Sequence, residues 1–107
     1  MPTVYVIQNN PFNDTTSATQ YGELKVLVPF GDNNYAVRDT ITLLKDGLKD
    51  FKEGDYVLLM GDPVAIALTG LVLYEVLGET DHVRFLKWNR RTSEYILVEF
   101  AASEASY

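Results

Sequence analysis

A chain of 107 residues suits one domain, because two halves of that length would each bury too little apolar surface to offset the entropy of folding. Hydrophobic residues make up 47% and aromatics 12%, which excludes a disordered or low-complexity chain and predicts a packed core. Fifteen acidic against nine basic residues leave a net charge of -6, which opposes nonspecific binding to nucleic acid and to anionic lipid, while the lack of cysteine removes disulfides, thiolate catalysis, Fe–S clusters and zinc ribbons.

Met1-Pro2-Thr3-Val4 shows no basic region followed by an apolar run, so no secretory signal is expected and the cytoplasm is the default compartment. The β-branched and aromatic stretch Thr3–Ile7 predicts a first strand, ended by Gln8-Asn9-Asn10-Pro11. Residues 9–22 are polar and rich in turn formers, with Phe12 and Tyr21 as the large apolar anchors. They predict a long polar loop that serves as a lid, a partner-binding edge or a mere connector. Glu23–Val28 begins with alternation and ends apolar before Pro29, as in a strand that becomes buried along its length.

Gly31-Asp32-Asn33-Asn34 has the composition of a helix cap, and Val37, Ile41, Leu44, Leu48 and Phe51 follow at spacings of four, three, four and three. A helix is expected over 35–52, with Arg38, Asp39, Lys45, Asp46, Lys49, Asp50 and Lys52 on its solvated face. Tyr56–Met60 lacks alternation and predicts a central strand covered on both faces. Asp62 suits a helix cap, Pro63 a first helical position and Gly78 a stop, so a second helix is expected over 63–78. A membrane span needs about 18 uninterrupted apolar residues. This run is shorter and holds Thr69, Gly70 and Glu75, so no membrane partner is expected.

Val64, Ile66, Leu68, Leu71, Val72, Leu73, Val76 and Leu77 nevertheless surround that helix, and one sheet face cannot bury them all. Its further partner is either the first helix or another subunit. In the second case Ala67, Gly70, Leu73, Tyr74 and Leu77 form the expected interface, with Ala67 and Gly70 allowing close backbone approach. Finally, His82–Trp88 and Glu94–Phe100 read as a hairpin, and 101–107 as a frayed tail. The predicted fold class is α/β: a small single-domain sandwich over residues 1–107, with a mostly parallel sheet of about five strands, two helices and a C-terminal antiparallel hairpin.

Three groups of residues invite chemistry. Gly61, Asp62 and Pro63, with Phe12 from the long loop, lie where a parallel α/β sheet offers strand ends to ligands. No Gly-rich cradle or Walker-type lysine accompanies them, Asp62 repels phosphate and Pro63 removes a donor, so capping is the better account. A ligand held there would present a hydroxyl, an amine or a cation to Asp62. Arg84, Lys87, Arg90 and Arg91 place four of the nine basic residues within eight positions, beside Trp88 and Tyr95. Solvated hairpin residues are the simpler reading, an acidic protein partner comes next, and nucleic acid falls behind both because of the overall charge. His82 is the single histidine, which precludes a histidine-pair metal site, and no serine stands in a nucleophile elbow. No catalytic residue, metal or cofactor is expected.

The pieces GDPVAIA (61–67), LKWNRR (86–91) and YILVEF (95–100), in an order that runs from Tyr5 to Glu99, resemble a family of short tailed-bacteriophage and prophage proteins. The resemblance implies a phage-encoded α/β domain and transfers no activity or catalytic residue. Together these readings favour a non-enzymatic phage accessory or interaction protein acting in the host cytoplasm, as a homo-oligomer or bound to a host or phage protein. A small-ligand or nucleotide-binding module at the strand-to-helix turn, or a virion structural component, is the alternative.

Overall fold

Val4, Tyr5, Val6 and Ile7 offer no polar position to turn toward water, and all are buried in a strand with parallel neighbours on both sides. The computed structural model describes residues 2–29, 37–78 and 81–105. Its elements are β1 (Thr3–Gln8), a 3-10 helix (Thr16–Tyr21), β2 (Glu23–Val28), α1 (Val37–Leu48), β3 (Tyr56–Leu58), α2 (Pro63–Val76), β4 (His82–Asn89), β5 (Glu94–Ala101) and a closing 3-10 turn (Ala102–Ala105). The five strands form one sheet in the order β2-β1-β3-β4-β5, parallel except for the antiparallel β4–β5 hairpin. This is the expected α/β sandwich, with β3 at its centre.

The expected cap at 31–34 and the start of the first helix lie outside the described residues. Among those described, α1 ends at Leu48, and Phe51 follows it into the core. The charged residues from Arg38 to Lys52 are exposed as the spacing predicts, but so is Val37. The expected tail is shorter too, since residues 102–105 form the closing turn.

Right-handed crossovers explain the layering. The steps from β2 to β3 and from β3 to β4 move across the sheet in one direction and put α1 and α2 on one face. The step from β1 to β2 moves the other way, so its connection lies on the opposite face. There the 3-10 helix packs Ala18, fully buried, among Val4, Val6, Leu58, Met60, Leu86 and Tyr95. The polar segment 9–22 is therefore not a mere connector: its second half covers the sheet. Tyr21 anchors it on Tyr56 with ring centroids 5.2 Å apart, whereas Phe12 stays 85% exposed. On the helix side Leu44, Leu48 and Phe51 of the α1 region and Ala65, Val72 and Leu73 of α2 close over Tyr5, Ile7 and Val57. Each large side chain so buried contributes about 1.5–3 kcal/mol relative to an exposed one.

Two polar side chains tie the strand ends. At the N-terminal end the buried Asp55 carboxylate accepts from the backbone N–H groups of Thr3 (2.9 Å) and Lys52 (3.1 Å). At the other end Gln8 Oε1 accepts from the Asp62 N–H at 2.8 Å, and Gln8 Nε2 donates to the Pro29 carbonyl at 3.4 Å. One side chain thus links the ends of β1, β2 and β3. Gly61 makes this possible: its φ is +114°, and a Cβ there would stand 2.3 Å from Gln8 Cβ.

Gly61→Ala is accordingly expected to cost on the order of 3 kcal/mol, lowering Tm by more than about 10 °C in thermal unfolding. A change below about 2 °C would refute the lock. A second expectation concerns alkali. Burial, followed by the Asp55 and Asp50 carboxylates, raises the Tyr5 phenol above its ordinary value, and burial, followed by Asp14, raises Tyr95. Both phenols are protonated in folded and unfolded chains below about pH 10; above it the unfolded phenols ionise first and favour unfolding. Thermal scans across this range should show Tm falling as pH passes about 10, and less steeply in Tyr95→Phe.

Candidate functional site

Opposite crossover directions leave a gap where the connections part. The chain leaves β1 toward the 3-10 face and leaves β3 toward the helix face, so a crevice opens between their C-terminal ends, the place where open α/β sheets hold ligands. A cleft of about 560 Å3 lies there. Phe12, Asn13 and Asp14 of the β1 connection form one wall, and Leu59, Met60 and Gly61 after β3 form the floor. The hairpin contributes Trp88, Arg90 and Tyr95.

Each part has a local cause. Asp14 starts the 3-10 segment by accepting from the Thr16 N–H at 2.8 Å. The bond to Thr16 holds the Asp14 carboxyl below its ordinary value and so keeps it charged. Trp88 and Tyr95 are cross-strand partners in an edge-to-face arrangement, centroids 5.0 Å apart. Tyr95 is also pinned by its N–H, which donates to Ser17 Oγ at 3.2 Å. Arg90 opens the turn, is exposed, and makes no ion pair with the described residues.

The residues singled out in the sequence are distributed unevenly around this site. Gly61 and Phe12 line the same cleft. Asp62 and Pro63 stand at its edge as helix-start residues, with Asp62 Oδ2 accepting from Ala65 N–H at 3.3 Å and Pro63 in the first helical turn. The basic hairpin cluster divides into parts. Arg84 pairs with Glu99 across the strands and lies 5.6 Å from the Tyr56 ring centre; its hydrogen bond to Glu99 pushes its pKa up. His82 reaches the same carboxylate at 4.0 Å. Lys87 points to the helix side of the sheet, opposite Trp88, and Arg91 remains on the turn. Only Trp88 and Arg90 of that cluster meet in the cleft, where Asp14 and Tyr95 join them. Loop and hairpin are over 70 residues apart in sequence, and no local pattern connects them.

The expected interface residues also separate. Leu73 is 3% exposed and belongs to the core, and Leu77 is half-buried against it, because both lie on the flank of α2 nearest the sheet. Neither belongs to the outer surface. Ala67, Gly70 and Tyr74 are exposed, and Val64 and Leu71 join them. Val64, Ala67, Leu71 and Tyr74 recur at intervals of three, four and three, which makes one stripe along a helix. That spacing was available in the sequence as a signal for the outer face. At the sheet edge, Ile96 and Val98 occupy the helix side of β5 and stay 38% and 41% exposed.

Among the described residues no three His, Asp or Glu side chains gather in a metal-binding arrangement, and no helix is long and apolar enough to cross a membrane. No curated protein and no solved structure matches the chain. The sequence profile of the phage Pam3 gp32-like proteins matches residues 2–102, nearly the whole chain and every strand and main helix of the sheet domain. The chain therefore belongs to the phage Pam3 gp32-like protein family.

Proposed function

We propose that this phage protein is a non-catalytic association module that pairs with a second copy of itself through the outer stripe of α2. The observation that carries the reading is the exposure of Val64 (54%), Leu71 (70%) and Tyr74 (77%) on one face of a helix whose opposite face is already buried. Water contact with these side chains is unfavourable by roughly 25 cal/mol per Å2, and single apolar residues on a surface do not usually line up in this way.

A second copy is the partner best matched to the stripe. A twofold axis places the same residues on both sides, and the three-four-three spacing is that of a helix-pairing seam. Gly70 and Ala67 lie near its middle, and the space in front of Gly70 is open. Two backbones can approach there. Along the 14 residues of α2, about 21 Å of helix, Glu75 is the single charged residue. Lys45 of α1 and Glu75 share a groove with Leu71 and carry opposite charges, and physiological salt screens charges more than about 8 Å away. Apolar contact should prevail.

A host or phage protein using this stripe in place of a second copy is the competing outcome. Light scattering decides between them: the wild type should have twice the mass of one chain, and Leu71→Glu should be a folded monomer whose Tm no longer depends on protein concentration. A monomeric wild type at concentrations of about 100 μM would exclude self-pairing as the working state.

A further inference from the structure

The association reading leaves the cleft between the ends of β1 and β3 unexplained. Its volume of about 560 Å3 lies within the range of small-molecule sites, about 300–1,000 Å3. It lies at the point where crossover directions reverse, the usual ligand position in open α/β sheets. The lining brings three aromatic rings, Phe12, Trp88 and Tyr95, together with one guanidinium, Arg90, and one carboxylate, Asp14. These come from three separate segments, and the fold alone does not require them to meet.

We propose that this cleft binds a planar heteroaromatic ring carrying a single small anionic group, the chemistry of a nucleoside monophosphate. Trp88, 38% exposed and held against Tyr95, suits base stacking, which is worth about 1–3 kcal/mol per base. Arg90, unpaired among the described residues, takes the phosphate. The ionised Asp14 accepts from a ribose hydroxyl or an exocyclic amine.

The same residues set the limit on charge. The α2 N-terminus does not serve as a phosphate cradle, because Asp62 already accepts from Ala65 N–H and Pro63 has no N–H to donate. One guanidinium beside one carboxylate, on a chain of net charge -6, therefore disfavours a triphosphate. Monophosphate should bind more tightly than triphosphate, the reverse of a P-loop site.

Trp88 is the single tryptophan, so intrinsic fluorescence reads the cleft directly. Titration with AMP, GMP, CMP and UMP should give a saturable change for at least one, with Kd below about 1 mM. The corresponding triphosphate should bind more weakly. Arg90→Gln, an exposed change that leaves Tm in place, should weaken the monophosphate about tenfold and leave the parent nucleoside unaffected. The proposal is overturned if no monophosphate saturates by about 10 mM. It is equally overturned if inorganic phosphate alone gives the same response, or if Arg90→Gln binds as the wild type does. Leu71→Glu, remote from the cleft, should retain binding, which keeps this site and the association surface separately testable.

Discussion

The short hydrogen bond from the Asp62 N–H to Gln8 Oε1, made across a glycine with no room for a Cβ, is the contact on which the functional end of the molecule depends. Gln8 is 8% exposed, and its amide is shared between the turn after β3 and the Pro29 carbonyl after β2. Losing a buried hydrogen bond while its partner stays in place costs about 1–3 kcal/mol, a sizeable share of the stability of a domain this small. The consequence is geometric as well. The bond sets where the chain turns out of the sheet, and that turn sets the direction in which α2 begins.

From this point the two surfaces of interest follow by topology. With β1 leaving toward one face and β3 toward the other, the strand ends separate and the cleft is formed without any residue being assigned to make it. With α2 starting at Pro63 and running back over the sheet beside α1, Ala65, Thr69, Val72 and Leu73 face inward. Val64, Ala67, Leu71 and Tyr74 must then face outward. The Thr69 hydroxyl, buried here, is satisfied within the helix by the Ala65 carbonyl at 2.8 Å. The inner face of α2 is thus complete, and only its outer face remains open to a partner.

Much of the fold was legible because periodicity reports burial directly. Glu23–Val28 has the predicted bounds, Pro63 and Asp62 mark the start of α2 as expected, and the hairpin turns where Asn89 to Ser93 indicate. Thr16–Tyr21 was not legible as structure, since TSATQY has neither an apolar stripe nor a strong cap, and it folds because Ala18 and Tyr21 find a sheet face already built. Strand order was likewise out of reach: it depends on long-range pairing, not on local pattern. The outer face of α2 illustrates a subtler limit. In a helix that is apolar all round, one residue is a rotation of about 100°, enough to put Leu73 in the core and Tyr74 in water. Composition predicted a helix with more apolar surface than one sheet face can bury, and only packing against Tyr5, Ile7 and Val57 decided which face turns inward.

Because the chain contains no cysteine, one introduced thiol reports self-pairing without background. Ala67→Cys sits at the middle of the outer stripe, and Thr42→Cys, on the exposed side of α1, is its control. Under mild oxidation Ala67→Cys should form a disulfide-linked dimer rapidly and in high yield at low protein concentration, while Thr42→Cys is not cross-linked, because the bond needs Cα atoms within about 7 Å. Equal and slow cross-linking of both variants would mean that the α2 stripes do not meet, and would contradict the account.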